Sequence, residues 1–201
     1  MVHIGIDFDN TIVSYDCAFY KVALKNGLIS KDVKKSKKMV RDAIRMLPEG
    51  NDKWTELQGL IYGLRMDDAV PMEGVERFLL ACRKNSVKVS IISHKTVYPA
   101  MGPRIDLQAA ARTWLMNRNF LADYGIAADE VVFEETLKGK LEQISRRGCT
   151  YFIDDLKEVL AHEDFPAGVK RIIYSREMDP GLPPDILIFK EWDEIKEHFF
   201  N

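Results

Sequence analysis

Short apolar runs recur along this chain of 201 residues and alternate with stretches of helical periodicity. The runs are rich in β-branched and aromatic residues, which is typical of buried strands. Between most of them, apolar residues return every three or four positions, as at Val75, Phe78 and Cys82. This alternation predicts an α/β fold, a doubly wound parallel sheet with helices on both faces. The predicted strands lie at 2–6, 87–92, 131–133, 151–153, 171–174 and 186–189.

One long stretch breaks this alternation, because it contains helical patterns and no convincing strand. Its periodicity predicts three helices, near 19–26, 33–46 and 54–64. An all-helical insertion directly after the first strand is expected over the C-terminal edge of the sheet, where open α/β sheets bind their ligands. The predicted domains are therefore a core formed by 1–13 and 70–201 and a helical cap formed by 14–69.

Two of the predicted strands end in paired acids. Asp7 and Asp9 follow the first strand, and Asp154 and Asp155 follow the strand at 151–153. Each pair alone is also compatible with a simple Asx-turn. Like charges ~4 Å apart repel by about 4 kcal/mol at an effective dielectric near 20, and a shared divalent cation removes that cost. Because Mg²⁺ prefers hard oxygen ligands, two acidic strand ends in one sheet predict a shared magnesium site.

A hydroxyl and a lysine complete the candidate chemistry. Ser93 ends another buried strand and can donate a hydrogen bond to a phosphoryl oxygen, although serine after a strand is common. Lys138 and Lys140 both stand near the start of the next helical pattern. At about 100° per residue, Lys140 lies closer to the middle of the buried stripe, so it is favoured as the inward-facing cation. A solvated lysine is the alternative.

Taken together, these residues resemble the four ordered motifs of the haloacid dehalogenase-like (HAD) superfamily. The resemblance extends from residue 3 to about residue 160, and its order, spacing and strand context all match. It implies a Rossmann-like sheet in which the strands bearing the first, second and fourth motifs lie close together. It also implies a small helical cap inserted after the first motif. The segments that carry the motifs are 4–13, 91–93, Lys140 and 152–155.

The resemblance further implies a Mg²⁺-dependent phosphohydrolase that acts on a small phosphorylated metabolite. Asp7 is expected to be the nucleophile that forms an aspartyl-phosphate. Asp9 is expected to protonate the leaving oxygen and then to activate water. The implied Mg²⁺ ligands are the Asp7 carboxylate, the Asp9 carbonyl and Asp154, with Asp155 in support. Since dehalogenases of this family generally lack an acid at the position of Asp9, that residue favours a phosphatase.

The phosphate group is expected to meet residues from several motifs. Ser93 and Lys140 would hold the phosphoryl oxygens, and Thr11 would steady the turn after the nucleophile. His94 is a further candidate for contact with the phosphate or the leaving group. Other candidates for contacts to the leaving group lie just past the motifs or in the irregular stretch 98–106: Tyr15, Asp16, Lys95 and Arg104.

Other function classes share some of these features. A HAD-like protein that binds metal and phosphate with little turnover, in a regulatory role, is one alternative, and a phosphotransferase is another. The intact acid Asp9 argues against a pure binder, which needs no acid–base group. A receiver of the response-regulator type also groups acids, a hydroxyl and a lysine around Mg²⁺. It lacks both the long insertion and a late Asp-Asp pair.

Composition limits the classes of partner and the compartment that are expected for the protein. The chain has 29 Lys plus Arg against 31 Asp plus Glu, a net charge of −2, which favours neither nucleic acid nor a membrane surface as partner. No apolar run approaches the roughly 18 residues of a membrane span, and the N-terminal residues do not resemble a secretory signal. Cys17, Cys82 and Cys149 are widely spaced and odd in number, which predicts a reducing compartment and buried, unpaired thiols. We therefore expect a cytoplasmic protein.

Overall fold

The computed structural model of the chain describes residues 1–176 and 181–201. Short 3₁₀ turns occur at Met66–Asp68 and Ala128–Glu130. The strands are β1 (His3–Ile6), β2 (Val13–Ser14), β3 (Val70–Pro71), β4 (Lys88–His94), β5 (Val131–Glu134), β6 (Tyr151–Asp154), β7 (Lys170–Tyr174) and β8 (Leu187–Phe189). The helices are α1 (Asp16–Lys25), α2 (Lys37–Arg45), α3 (Gly50–Tyr62), α4 (Val75–Lys84), α5 (Leu107–Asn117), α6 (Phe120–Tyr124), α7 (Leu137–Arg146), α8 (Lys157–Leu160) and α9 (Trp192–Phe200).

Six strands of the described residues form one parallel sheet in the order β5-β4-β1-β6-β7-β8. They are the six strands that the apolar runs predict, so the α/β fold class is confirmed. The first strand lies inside the sheet, between β4 and β6. All four of its residues are buried, as expected for a strand that is covered on both faces.

Helices cover both faces of this sheet. Ile173 of β7 packs in an apolar cluster with Leu141 and Ile144 of α7. The next residue, Tyr174, contacts the ring of Trp192 in α9, with ring centroids 5.5 Å apart. Because successive strand residues point to opposite faces, α7 and α9 lie on opposite sides of the sheet. The doubly wound arrangement therefore follows from the side-chain alternation of β7 alone.

Gly5 allows the two central strands to pack closely. It is paired with Phe152 across β1 and β6. A Cβ at this position would lie 2.6 Å from Cδ2 of Phe152 and 3.0 Å from Sγ of Cys149. Both neighbours are buried in the core, so neither has open space to move into. A glycine is therefore required here by packing.

The chain divides into two compact units. The first contains the parallel sheet and comprises 1–13, 71–95 and 119–201. The second comprises 14–70 and 96–118 and contains α1, α2, α3 and α5.

The second unit has its own aromatic and polar contacts. The ring of Trp54 in α3 stacks on Phe19 of α1, with centroids 4.7 Å apart. Trp114 of α5 is fully buried, and its indole N–H donates to the carbonyl of Ala69 at 3.1 Å.

The second unit is larger than the predicted cap. The sequence predicts that 96–118 belongs to the core domain, whereas contacts group it with the helices of 14–70. One physical reason is a close backbone contact. The carbonyl oxygen of Met101 lies so close to Gly59 in α3 that a Cβ at Gly59 would be 2.6 Å from it. A stretch without helical or strand periodicity gives no sign of such a contact. A cap role for this unit stays a prediction.

The three cysteines are free. Cys82 and Cys149 are buried, as the sequence predicts, but Cys17 is exposed. Its neighbours Ala18 and Phe19 form the buried side of α1, which leaves Cys17 on the outer side of that helix. Among the described residues, we find no helix with the length and apolar character that a membrane crossing needs.

We predict that Gly5→Ala destabilises the fold by about 1–3 kcal/mol, because the added methyl overpacks the contact with Phe152. Urea unfolding of both proteins measures this loss. Phe152→Leu removes ring atoms from the contact, so the double variant should be more stable than the sum of the two single effects predicts. Strict additivity would contradict the proposed steric cause.

Candidate active site

The candidate site lies at the carboxyl ends of three adjacent strands. Ile6, the last residue of β1, is paired with Ile91 of β4 on one side and with Ile153 of β6 on the other. The next residue, Asp7, continues this register, because its N–H donates to the carbonyl of Ile153 at 2.9 Å. Asp154 therefore lies beside Asp7 at the same edge of the sheet, which is where open α/β sheets bind ligands.

Four of the predicted site residues meet through direct hydrogen bonds. The Oδ1 atom of Asp7 accepts from Oγ of Ser93 at 2.8 Å and from Nζ of Lys140 at 2.5 Å. The same Lys140 ammonium donates to Oδ2 of Asp154 at 2.5 Å. Two other predicted motifs, the serine and the lysine, thus converge on the carboxylate of the first, and the lysine links it to the carboxylate of the fourth.

The start of α7 brings Lys140 to this position. Thr136 is the N-cap residue, and its hydroxyl accepts from the N–H of Gly139 at 3.0 Å. Lys140 therefore falls in the first turn, at the end of the helix nearest the strand ends. It shares the buried side of α7 with Leu141 and Ile144. Lys138 is on the other side, 83% exposed, and its Nζ lies 4.0 Å from Glu142.

The cluster is almost excluded from solvent. Asp154 is 0% exposed, Lys140 1% and Asp7 5%. Burial raises the pKa of the Asp7 carboxyl to about 7; Lys140 opposes this rise, and Asp154 and Asp9 add to it. Burial alone would lower the pKa of Lys140, but Asp154 and Asp7 hold it above its ordinary value. One buried ammonium therefore leaves part of the carboxylate charge unbalanced.

A third acid completes a set that suits a hard cation. Carboxylate oxygens of Asp7, Asp154 and Asp155 all lie within 4.8 Å of one another. Asp155 is half-buried, and one of its oxygens lies 3.5 Å from Oγ1 of the fully buried Thr11. Three carboxylates with excess negative charge in a buried setting are the oxygen-rich donors that Mg²⁺ takes in proteins. The residues present therefore fit a divalent cation.

Asp9 lies in a tight turn directly after β1. The N–H of Val13 donates to the carbonyl of Phe8 at 3.0 Å, and the N–H of Asn10 donates to the carbonyl of Val13 at 2.9 Å. Asn10 has a φ of 61°, a left-handed conformation that asparagine tolerates better than most residues. The Asp9 side chain is directed to Lys95, whose Nζ lies 2.6 Å from Oδ2.

The contact of Lys95 with Asp9 is not predicted by the sequence pattern. Lys95 is 4% exposed, whereas the sequence marks it only as one of several candidates for contact with the leaving group. Strand alternation gives the missing signal, since Ser93 and Lys95 are two residues apart and share a face when the extended backbone continues. His94 points the other way. It is exposed, and its Nε2 lies 3.1 Å from the carbonyl oxygen of Glu135, so the structure does not bring it to the acids.

Three other sequence-based candidates belong to the second unit. Tyr15 is buried, and its ring contacts that of Tyr62 with centroids 4.9 Å apart. Asp16 accepts from the N–H of Lys37 at 2.7 Å. The guanidinium of Arg104 lies 4.2 Å from the ring centroid of Tyr98. Each of the three thus has a contact within its own unit, and a role in contacting the leaving group stays a prediction for each.

Replacing Lys140 by methionine is expected to destabilise the protein by about 3–5 kcal/mol, because it leaves two buried carboxylates without their shared ammonium. Lys138→Met is the matched control. Its exposed ion pair should contribute no more than about 0.5 kcal/mol. Urea unfolding at neutral pH compares the two variants, and equal stabilities would contradict the electrostatic role assigned to Lys140.

Comparison with known proteins finds similarity of structure. No protein-family model matches the chain, and no curated protein matches it. A HAD-superfamily hydrolase of subfamily IA from Geobacter sulfurreducens PCA superposes with a TM-score of 0.60 at 15% identity, over 98% of this chain and 96% of the other. A HAD-family hydrolase from Deinococcus radiodurans R1, with bound phosphate and sodium, gives a TM-score of 0.61 at 12% identity, over 98% and 94%.

A third similar structure is a dehalogenase, with a TM-score of 0.55 at 11% identity, over 98% of this chain and 96% of that one. Identities this low show the fold and leave the reaction open. The resemblance that the motifs indicate is thus confirmed at the level of architecture. The chain has the HAD-like fold.

Proposed function

We propose that the protein is a Mg²⁺-dependent phosphohydrolase that acts on a small phosphorylated metabolite through an aspartyl-phosphate intermediate. The observation that carries this proposal is the contact of Asp7 with both Ser93 and Lys140, beside Asp154. One oxygen of the Asp7 carboxylate accepts hydrogen bonds from a hydroxyl and an ammonium. These are the two groups that would hold the oxygens of a phosphate. These residues are also the ones that belong to the four motifs of the HAD resemblance.

The first half of the proposed reaction uses Asp7 and Asp9. A carboxylate oxygen of Asp7 attacks phosphorus, and the bond from phosphorus to the leaving oxygen breaks. Asp9 donates a proton to that leaving oxygen, so that the leaving group departs as a neutral alcohol. Ser93 and Lys140 donate hydrogen bonds to the phosphoryl oxygens and offset their negative charge in the transition state.

The second half releases phosphate. Asp9, now ionised, accepts a proton from water, and the oxygen of that water attacks the phosphorus of the aspartyl-phosphate. The bond between phosphorus and the Asp7 oxygen breaks, which restores the carboxylate. Asp7, Asp154 and Asp155 would hold Mg²⁺, together with the Asp9 carbonyl. When bound, the ion supplies positive charge that offsets the phosphoryl oxygens and the acids.

The comparisons support this proposal in one respect. The similar hydrolase from Deinococcus radiodurans holds phosphate, so this fold binds the proposed reaction product in at least one protein. The similar dehalogenase supports a different reaction. Asp9 favours the phosphatase, since an acid–base group is needed to protonate an alcohol leaving group and is dispensable when the leaving group is a halide.

The proposed setting of this activity is the cytoplasm, in keeping with the three free cysteines. The proposed partner is the small phosphorylated substrate, with no nucleic acid and no membrane.

Asp7→Asn is expected to lower phosphate release by at least about 1,000-fold, because the amide cannot act as the nucleophile. The assay is a panel of sugar phosphates, nucleotides, phospho-acids and an aryl phosphate, with and without Mg²⁺. Asp164→Asn is the control, since that carboxylate is 74% exposed and its nearest ion-pair partner is His162 at 3.9 Å. Its activity should stay within about twofold of the unmodified protein.

Three outcomes would contradict the proposal. Retained hydrolysis by Asp7→Asn would refute the nucleophile. Chloride release from a 2-chloro acid, with no phosphate release from the panel, would assign a dehalogenase. No Mg²⁺-dependent release at all would favour a binding or regulatory protein.

A further inference from the structure

Lys95 is a second buried lysine at the same sheet edge, and the proposed reaction leaves it without a role. Its N–H donates to the carbonyl of Glu134 at 2.8 Å, which fixes the backbone just past the ends of β4 and β5. Its ammonium lies 2.6 Å from Oδ2 of Asp9 and 5.7 Å from the ring centroid of Phe8. A lysine is rarely buried to this degree unless it is paired with a carboxylate.

The pair is unequal in its access to solvent. The side chain of Lys95 is 3% exposed, whereas that of Asp9 is 21% exposed. The ammonium therefore holds the carboxylate from the protein side, and Asp9 keeps the access that a substrate needs. An ion pair that served only to neutralise a buried lysine would not need a partially accessible partner at the motif position.

Each of the two buried lysines pairs with one of the two acids of the first motif. Lys140 donates to Asp7, and Lys95 donates to Asp9. The lysines come from different elements, α7 and the end of β4, so each acid is held by a separate part of the fold. Acid–base transfer depends on a donor that is directed at the reacting oxygen, and an error of about 1 Å can cost roughly 100-fold in rate.

We propose that Lys95 is a positioning residue that directs the Asp9 carboxylate toward the leaving oxygen and the attacking water. This inference rests on the proposed function, because it assigns Lys95 a task in the acid–base half of that reaction. It acts through Asp9 and does not contact the phosphoryl group. Its loss should therefore impair proton transfer and leave binding of the phosphate unchanged.

The kinetic test compares substrates that differ in their need for a proton. With phenyl phosphate, whose leaving group needs protonation, Lys95→Met should lower kcat by about 10- to 100-fold. With p-nitrophenyl phosphate, whose leaving group departs unprotonated, the cleavage step should lose less than about fivefold in a single-turnover measurement. KM should change by less than about threefold for both substrates. Lys95→Arg, which keeps the charge, should recover part of the loss.

The matched control is Lys88→Met, at the other end of the same strand. Lys88 also pairs with a carboxylate at 2.6 Å, that of Glu130, but it lies at the start of β4 and away from the site. Loss of Lys88 should leave the ratio of the rates for phenyl phosphate and p-nitrophenyl phosphate unchanged. A similar change of ratio in Lys88→Met would show that any lost ion pair on β4 produces the effect, and would overturn the assignment.

Crystal structures of the two variants give a readout that does not depend on activity. The Asp9 carboxylate should move by about 1 Å or more in Lys95→Met and stay in place in Lys88→Met. An unmoved Asp9, or an equal loss in the single-turnover rate of the cleavage step for both substrates, would overturn the positioning role while leaving the phosphohydrolase proposal intact. An unmodified protein that releases no phosphate from either substrate or from the wider panel would instead refute the proposed function.

Discussion

The structure of the site depends on one electrostatic constraint, the burial of Asp7 and Asp154 around a single ammonium. Both carboxylates are almost excluded from solvent, and Lys140 donates to each at 2.5 Å. Charges this deeply buried are tolerated only when they are paired and hydrogen-bonded. Lys140 supplies one positive charge, and Asp155 adds a further carboxylate within 4.8 Å of the other two. The remaining negative charge is what makes the cluster suitable for a divalent cation.

The parallel sheet is what imposes this constraint. A strand that is buried on both faces is mostly apolar along its length, and the acids of β1 and β6 stand at the carboxyl ends of these strands. Because β1 lies between β4 and β6, three such ends are adjacent, and residues as far apart in the chain as Asp7 and Asp154 become neighbours. Gly5 permits the close packing of the two acidic strands at Phe152.

Most of this arrangement can be predicted from the sequence, because strand ends and helix faces follow simple periodicities. The six strands and the inward direction of Lys140 come from alternation and from the 100° helical step. The contact of Lys95 with Asp9 follows from alternation only if the extended backbone continues past the end of β4. Proximity in sequence groups His94 with the phosphate-binding residues, although its position opposite to Ser93 in the alternation directs it elsewhere. Contacts of 96–118 with 14–70, such as the backbone approach at Gly59 and the hydrogen bond from Trp114 to Ala69, are not encoded by any periodicity.

We propose that acids from two distant segments share one divalent cation, and isothermal titration of Mg²⁺ into the protein measures whether they do. We expect one site per chain, and Asp154→Asn should weaken binding at least about tenfold, because one charged ligand of a small oxygen set is lost. Asp164→Asn, which changes an exposed acid, should bind as the unmodified protein does. Equal Mg²⁺ affinity in Asp154→Asn and the unmodified protein, or no binding in either, would show that the two acidic strand ends do not share a cation.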